Sequence, residues 1–170
     1  KNSYIYQKYD INPICSFVNQ DNINSFFNTN NYTNLLSLDI DGIDFWVAKN
    51  IDFEKFNFAF FVCEFNPVFG YEDKLSVMYK EDFDRWDFSE TGNLYGASIQ
   101  AFISLMNKRN YSFIGTNSAA NNAYFLNNRY SSIIDCFSQS KIFKRKFLDI
   151  KQSKNFDRDN YEVMEKNIIK

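Results

Sequence analysis

Ten consecutive residues, Phe56–Phe65 (FNFAFFVCEF), restrict the possible folds of this chain more than any other stretch. They are its longest apolar, β-rich run, which is how a central strand buried on both faces reads. Asn66-Pro67 ends the run, because Pro cannot continue a central ladder. Just upstream, Leu35–Ile40 (LLSLDI) predicts a second strand, followed by Asp41-Gly42 and a helix Phe45–Asn50. Asp44 is placed to cap that helix, whose Phe45, Trp46 and Lys49 fall on adjoining turns.

The rest of the chain extends the alternation. Lys1–Tyr9 has helical spacing, and Pro13 precedes the strand-like run Ile14–Val18. Asn19–Asn22 supplies a turn and an N-cap for a short helix with Ile23, Phe26 and Phe27 as its stripe, and Asn28–Thr33 reads as a loop. Val68–Gly92 is acidic and dotted with aromatics, an excursion from the sheet. Tyr95-Gly96-Ala97-Ser98 opens a helix to about Arg109, with Ile99, Phe102, Ile103 and Met106 as its apolar face. Tyr111–Gly115 and Ala123–Leu126 read as strands, and their short link Thr116–Asn122 predicts antiparallel neighbours. The order β-α-β-α-β-(excursion)-α-β-β predicts an α/β fold: a mostly parallel sheet with helices on both faces, closing in an antiparallel pair.

Charge divides the chain. Residues 1–138 carry 10 Lys/Arg against 16 Asp/Glu, a net of -6, and residues 139–170 carry 9 against 5, a net of +4. An α/β domain over 1–138 followed by a basic segment is therefore expected. Lys144-Arg145-Lys146 reads as a solvated face, and the acidic balance of the domain argues against nucleic acid as a partner. No apolar run approaches the roughly 20 residues a bilayer span needs. Cys15, Cys63 and Cys136 are scattered, which argues against a disulfide framework or a zinc site and fits a reducing cytoplasm.

Histidine is absent. Ser-His-Asp and Cys-His nucleophile systems, histidine general bases and zincin helices are thereby excluded. Chemistry must come from carboxylates, amides, hydroxyls, Lys/Arg, thiols or a bound cofactor.

In open α/β sheets ligands bind beyond the carboxyl ends of the strands, so strand-end residues become site candidates. These are Asn19 and Asp21, then Asp39 and Asp41, then Glu64 and Asn66, with Asn117 and Asn121 from the antiparallel link. Asp39 and Asp41, two apart on an extended chain, face one side. Two close carboxylates need a cation, a shared proton or donors between them. The same D-x-D-G is equally compatible with one carboxylate capping the next helix and the other solvated. Gly42 is expected to permit the turn into the helix.

LLSLDIDGIDFWVAKNI (Leu35–Ile51), FVCEFNPVFG (Phe61–Gly70) and LYGASIQAFISLMNKRNYSFIGTNSAANNAYFLNNR (Leu94–Arg129) together resemble bacterial FkbM-like, S-adenosylmethionine-dependent methyltransferases. The resemblance covers about residues 12–130 and implies a Rossmann-like methyltransferase sheet whose N-terminal strands, with their Gly-rich cofactor loop, are missing from this chain. It implies Asp39 and Asp41 as the catalytic carboxylates facing the transferred methyl and the acceptor. Glu64, Asn66, Asn117 and Asn121 would line the acceptor cleft, and Asn19 and Asp21 would lie on the cofactor's adenine side. The implied activity is O-methyl transfer to a small or sugar-like acceptor. Asp39 would serve as base, or Asp39 and Asp41 would hold a divalent cation such as Mg²⁺. Ala120 stands where the family pattern has Gly. A metal-dependent glycosyltransferase using Asp39 and Asp41, and a non-catalytic binding module of the same fold, are the alternatives.

Overall fold

A computed structural model describes Tyr4, Lys8, Tyr9 and residues 11–27 and 34–134. The expected loop Asn28–Thr33, most of the expected helix Lys1–Tyr9, Cys136 and the basic segment 139–170 lie outside the described residues. Four strands form one sheet: β1 Leu35–Leu38, β2 Phe60–Glu64, β3 Tyr111–Thr116 and β4 Asn122–Asn127. Their spatial order is β1-β2-β4-β3. β1 and β2 are parallel, while β4 pairs antiparallel with both β2 and β3. The class is α/β, as expected, but the sheet is mixed rather than mostly parallel. The physical reason is the hairpin. β4 returns directly from β3 and inserts beside β2, so two of the three pairings are antiparallel.

The run Ile14–Val18 forms no strand. Ile14 and Phe17 are 68% and 91% exposed, and no ladder reaches this segment. An apolar run becomes a strand only where a neighbour offers backbone partners, and among the described residues none does. The predicted helix after Asn22 is a single 3-10 turn, Ile23–Phe26, with Ile23 buried.

β2 occupies the interior of the sheet, as its composition demands, but it is shorter than the apolar run. Phe56 ends the short helix α2, Phe53–Phe56, and Asn57 turns the chain out of it with a left-handed φ of 55°. Register shows what this strand buries. Leu36 and Leu38 lie opposite Phe61 and Cys63, which lie opposite Phe125 and Ala123, and all six are buried in one core cluster. The other face is only partly covered by the described residues: Leu35 is 56% exposed, and Phe60, Val62 and Tyr124 are half-buried. The described residues thus account for the expected burial of this strand on one face and for part of it on the other.

Two helices complete the main core. Helix α1, Asp44–Asn50, places Phe45 edge-on to Phe102 of helix α4, Ile99–Lys108, with ring centroids 5.5 Å apart. Ile99, Phe102 and Met106 are fully buried, which is the apolar stripe expected for α4. Ser98 caps α4, accepting from the Ala101 amide, so Tyr95–Ala97 lead into the helix rather than belonging to it. Residues 68–92 leave the sheet as expected. They contain one short helix, α3 (Arg85–Phe88), and a satellite cluster of Phe69, Leu75 and Val77 with Leu94. Among the described residues no helix is long and apolar enough to cross a membrane.

Candidate acidic site at the strand ends

β1 and β2 run parallel, so their carboxyl ends open on the same edge. Leu38 lies opposite Cys63 in the ladder, which sets Asp39 beside Glu64. The chain then enters a loop that carries Asp41 back over the same edge. Carboxylate oxygens of Asp39, Asp41 and Glu64 all lie within 4.8 Å of one another. Asp39 and Asp41 are exposed, whereas Glu64 is 9% exposed.

Strand alternation does not produce this convergence. Asp41 has a left-handed backbone (φ 58°), a conformation that short polar residues tolerate better than most. The turn therefore belongs to Asp41, not to Gly42. Glycine at 42 has a different cause: a Cβ there would lie 2.5 Å from the Phe83 ring, so a side chain would push the excursion off the loop.

Asp44 holds the loop in shape. It is the first residue of α1 rather than its cap, which is Ile43. Its carboxylate folds back to accept the amides of Ile40 at 2.8 Å and Gly42 at 3.0 Å. Burial raises its pKa, and these amide bonds oppose that shift. The predicted capping role is corrected accordingly: a buried carboxylate satisfies loop amides that would otherwise be orphaned.

The excursion supplies the site's cation. Arg85 donates to Asp41 Oδ1 at 3.1 Å and through Nε to the Gly92 carbonyl at 2.7 Å, and its guanidinium lies 4.0 Å above the Tyr95 ring. The Tyr95 hydroxyl is hydrogen-bonded to Glu64, and burial beside that carboxylate pushes its pKa up to about 12. Glu64 itself is pushed up to about 7, first by burial and then by the charges of Asp39, Asp44 and Asp41, with Arg85 opposing. One of its oxygens, Oε2, has no hydrogen-bond partner.

The remaining predicted residues have other surroundings. Asn66 is buried, donates to the carbonyls of Asn93 and Tyr95, and accepts from the Val68 amide. Its amide staples β2 to the segment leading to Tyr95 and is fully used in doing so. Asn117 and Asn121 bond each other at 2.8 Å within the β3–β4 hairpin, where Asn117 Oδ1 also accepts the amides of Asn121 and Asn122. Ala120 in that link has a left-handed φ of 58°, which is the conformation that favours glycine.

Asn19 organises its own turn, accepting from the Asp21 and Asn22 amides, and donates to Glu81 at 3.1 Å. Asp21 is exposed there. Glu81 lines an open cleft of about 220 Å³ together with Val18, Ile40, Gly42 and Phe83. Asp39, Asp41 and Glu64 are thus brought together, while Asn66, Asn117 and Asn121 frame the edge and Asn19 and Asp21 stand apart from the triad. The described residues assemble no counterpart of a Gly-rich cofactor loop, and Asn19 is committed to its turn, so they do not by themselves fit S-adenosylmethionine.

Sequence reasoning missed Asp44, Arg85 and Tyr95 as site residues. Tyr95 carried a signal, since it opens the segment before α4. Arg85 carried none, because only the fold of the excursion returns it to Asp41. No family model, no curated protein and no solved structure matches the chain.

Proposed function

We propose that this chain carries the acceptor side of a group-transfer enzyme, and that the group is a methyl carried by S-adenosylmethionine to a hydroxyl of a small, polar acceptor. One observation carries the reading: carboxylates from two parallel strand ends meet within 4.8 Å, held there by Asp44 and Arg85. The ordered series of motifs resembling methyltransferases supports methyl as the group. The cysteine pattern supports a reducing compartment.

Methyl transfer from a sulfonium is an in-line displacement, so the protein must fix the acceptor oxygen and relieve it of its proton. Asp39 and Asp41, both exposed, are free to accept hydrogen bonds from acceptor hydroxyls. Glu64 sits behind them. Arg85 and Tyr95 limit where the carboxylates can turn, which is the preorganisation such a step needs. The described residues supply the acceptor pole, and by themselves they form no cradle for the methyl donor.

The third carboxylate favours a second reading, a metal-dependent glycosyltransferase with Asp39 and Asp41 facing a nucleotide diphosphate. Transfer of labelled methyl from S-adenosylmethionine, or of labelled sugar from sugar nucleotides with Mn²⁺, to a panel of polyols and sugars separates the two. In a protein that transfers methyl, Asp39→Asn is expected to lower turnover at least 100-fold, about 2.7 kcal/mol of transition-state stabilisation. Unchanged turnover in that variant would sink the assignment of the acidic edge, and sugar transfer in place of methyl transfer would sink the choice of group.

A further inference from the structure

We propose that Asp39, Asp41 and Glu64 form a binding site for a hard divalent cation, with Glu64 as the buried ligand. For the binding itself nothing is assumed about the group transferred. The cation's role in activating an acceptor rests on the transferase reading above.

Three features point the same way. The first is the ligand set: three carboxylates, each with an oxygen within 4.8 Å of the others, are oxygen donors of the type that hard cations take. Two ligands of one ion can be no farther apart than twice its metal–oxygen distance. That limit is about 4.2 Å for Mg²⁺ and about 4.6–5.2 Å for Ca²⁺ for a pair, and three mutually equidistant ligands must come within about 3.6 Å and about 4.0–4.5 Å, so the triad takes either ion by closing on it. The second is Glu64 Oε2. This side chain is more than nine-tenths buried, lies in the cluster, and leaves that oxygen without a donor. Buried carboxylate oxygens are ordinarily satisfied, so an unpartnered one on a residue of this cluster is one partner short. The third is charge. Three ionised carboxylates with one guanidinium leave a formal balance of -2, to which the neighbouring Asp44 adds, and a divalent cation offsets that excess.

The ordinary alternative is a solvated acidic edge, and it accounts for Asp39 and Asp41, which are exposed. For Glu64, a buried carboxyl at the centre of like charge, that alternative requires a retained proton, which a bound cation would displace. Arg85 does not substitute for the cation, since it reaches only Asp41 Oδ1 and is held away by the Gly92 carbonyl. The other Asp41 oxygen stays available to a cation. Bound there, a cation would lower the pKa of an acceptor hydroxyl that joined its shell.

Calorimetric titration of the chelator-treated chain with Ca²⁺, Mn²⁺ and Mg²⁺ tests this. One saturable site with Kd below about 1 mM is expected for at least one of them, within the range of weaker oxygen-ligand sites. Glu64→Gln and Asp39→Asn are each expected to weaken it at least tenfold. Terbium luminescence provides a readout tied to place, because Tyr95 is hydrogen-bonded to Glu64 and should sensitise a bound Tb³⁺. Its emission should fall in Glu64→Gln and be displaced by Ca²⁺. No saturable binding up to 10-fold above that concentration, or unchanged affinity in a folded Glu64→Gln chain, would overturn the proposal. Cation binding together with sugar transfer in place of methyl transfer would leave this site standing and defeat only the methyltransferase reading. Methyl transfer without cation binding would do the reverse.

Discussion

Glu64 concentrates the electrostatics of the molecule in one carboxyl. Its pKa rises from 4.5 to about 7, so between those values the folded chain keeps a proton that the unfolded chain has released. The folded state binds more protons in that window, and stability must therefore fall as pH rises through it. The contribution is fully present below about pH 4.5 and lost above about pH 7. Its ceiling is about 3 kcal/mol, and solvent at the exposed Asp39 and Asp41 beside it reduces that figure. Urea unfolding between pH 5 and 8, in chelator, should show wild type losing stability while Glu64→Gln changes much less. The variant should be the more stable of the two at pH 8. Parallel pH profiles for both proteins would show that Glu64 is solvated in the native state. Cys63, by contrast, is raised well above its ordinary value by complete burial and acts as a small core hydrophobe beside Phe61 and Phe125.

At the scale of elements, the loop between β1 and α1 decides whether the site exists. Asp44 accepts two loop amides while almost wholly buried, so Asp44→Ala strands both amides without a partner. A cost of about 2–4 kcal/mol is expected from two such losses, read as a shift in urea midpoint with an unchanged slope. Asp44→Asn keeps an acceptor for one amide and should cost roughly half as much. A change under 0.5 kcal/mol in Asp44→Ala would show that water replaces the carboxylate. This loop also marks the limit of what the sequence discloses. LLSLDIDG announces a strand that ends in carboxylates, and Asn66-Pro67 announces the end of β2, because strand chemistry and Pro chemistry are local. That Asp44 turns back rather than forward is not local. Both a cap and a loop brace use an Asp at a helix start, and only the buried position of the loop amides selects the brace. Arg85 is the same problem at longer range, since its partner Asp41 is 44 residues away. The Ile14–Val18 run illustrates the opposite failure. Its composition suits a strand, but a strand also needs an edge to pair with, and pairing is a property of the whole sheet.

For the whole molecule, the pairing order predicts how the fold opens. β2 and β4 hold the two interior positions, and their registered pairs Phe61–Phe125 and Cys63–Ala123 are completely buried. Tyr111 of β3 adds a hydroxyl that donates to the Phe58 carbonyl at 2.6 Å, tying the far edge to the turn before β2. Breaking these contacts means breaking the core, so their amides should exchange only by global unfolding. Residues 71–93 are different. They are attached by the Ser76–Ala97 bridge with the backbone bonds of Leu75 and Val77 to Ser98 and Gly96, by the Trp46 indole bond to the Val77 carbonyl at 2.8 Å, by the Arg85 contacts, and by Tyr71, Tyr79 and Phe83 against the main core. Past residue 83 the attachment rests on Arg85, so Asp84–Gly92 can detach while the sheet persists. Native-state hydrogen exchange should therefore place Phe61, Cys63 and Phe125 in the slowest class and Asp87–Gly92 in a faster, sub-global one. Asp41→Asn removes the ion pair between Arg85 and the loop, so it should speed exchange in the second class and leave the first unchanged. If both classes moved together, the excursion would be part of the cooperative core. Arg85 would then be a structural residue of the fold rather than a latch over the acidic edge.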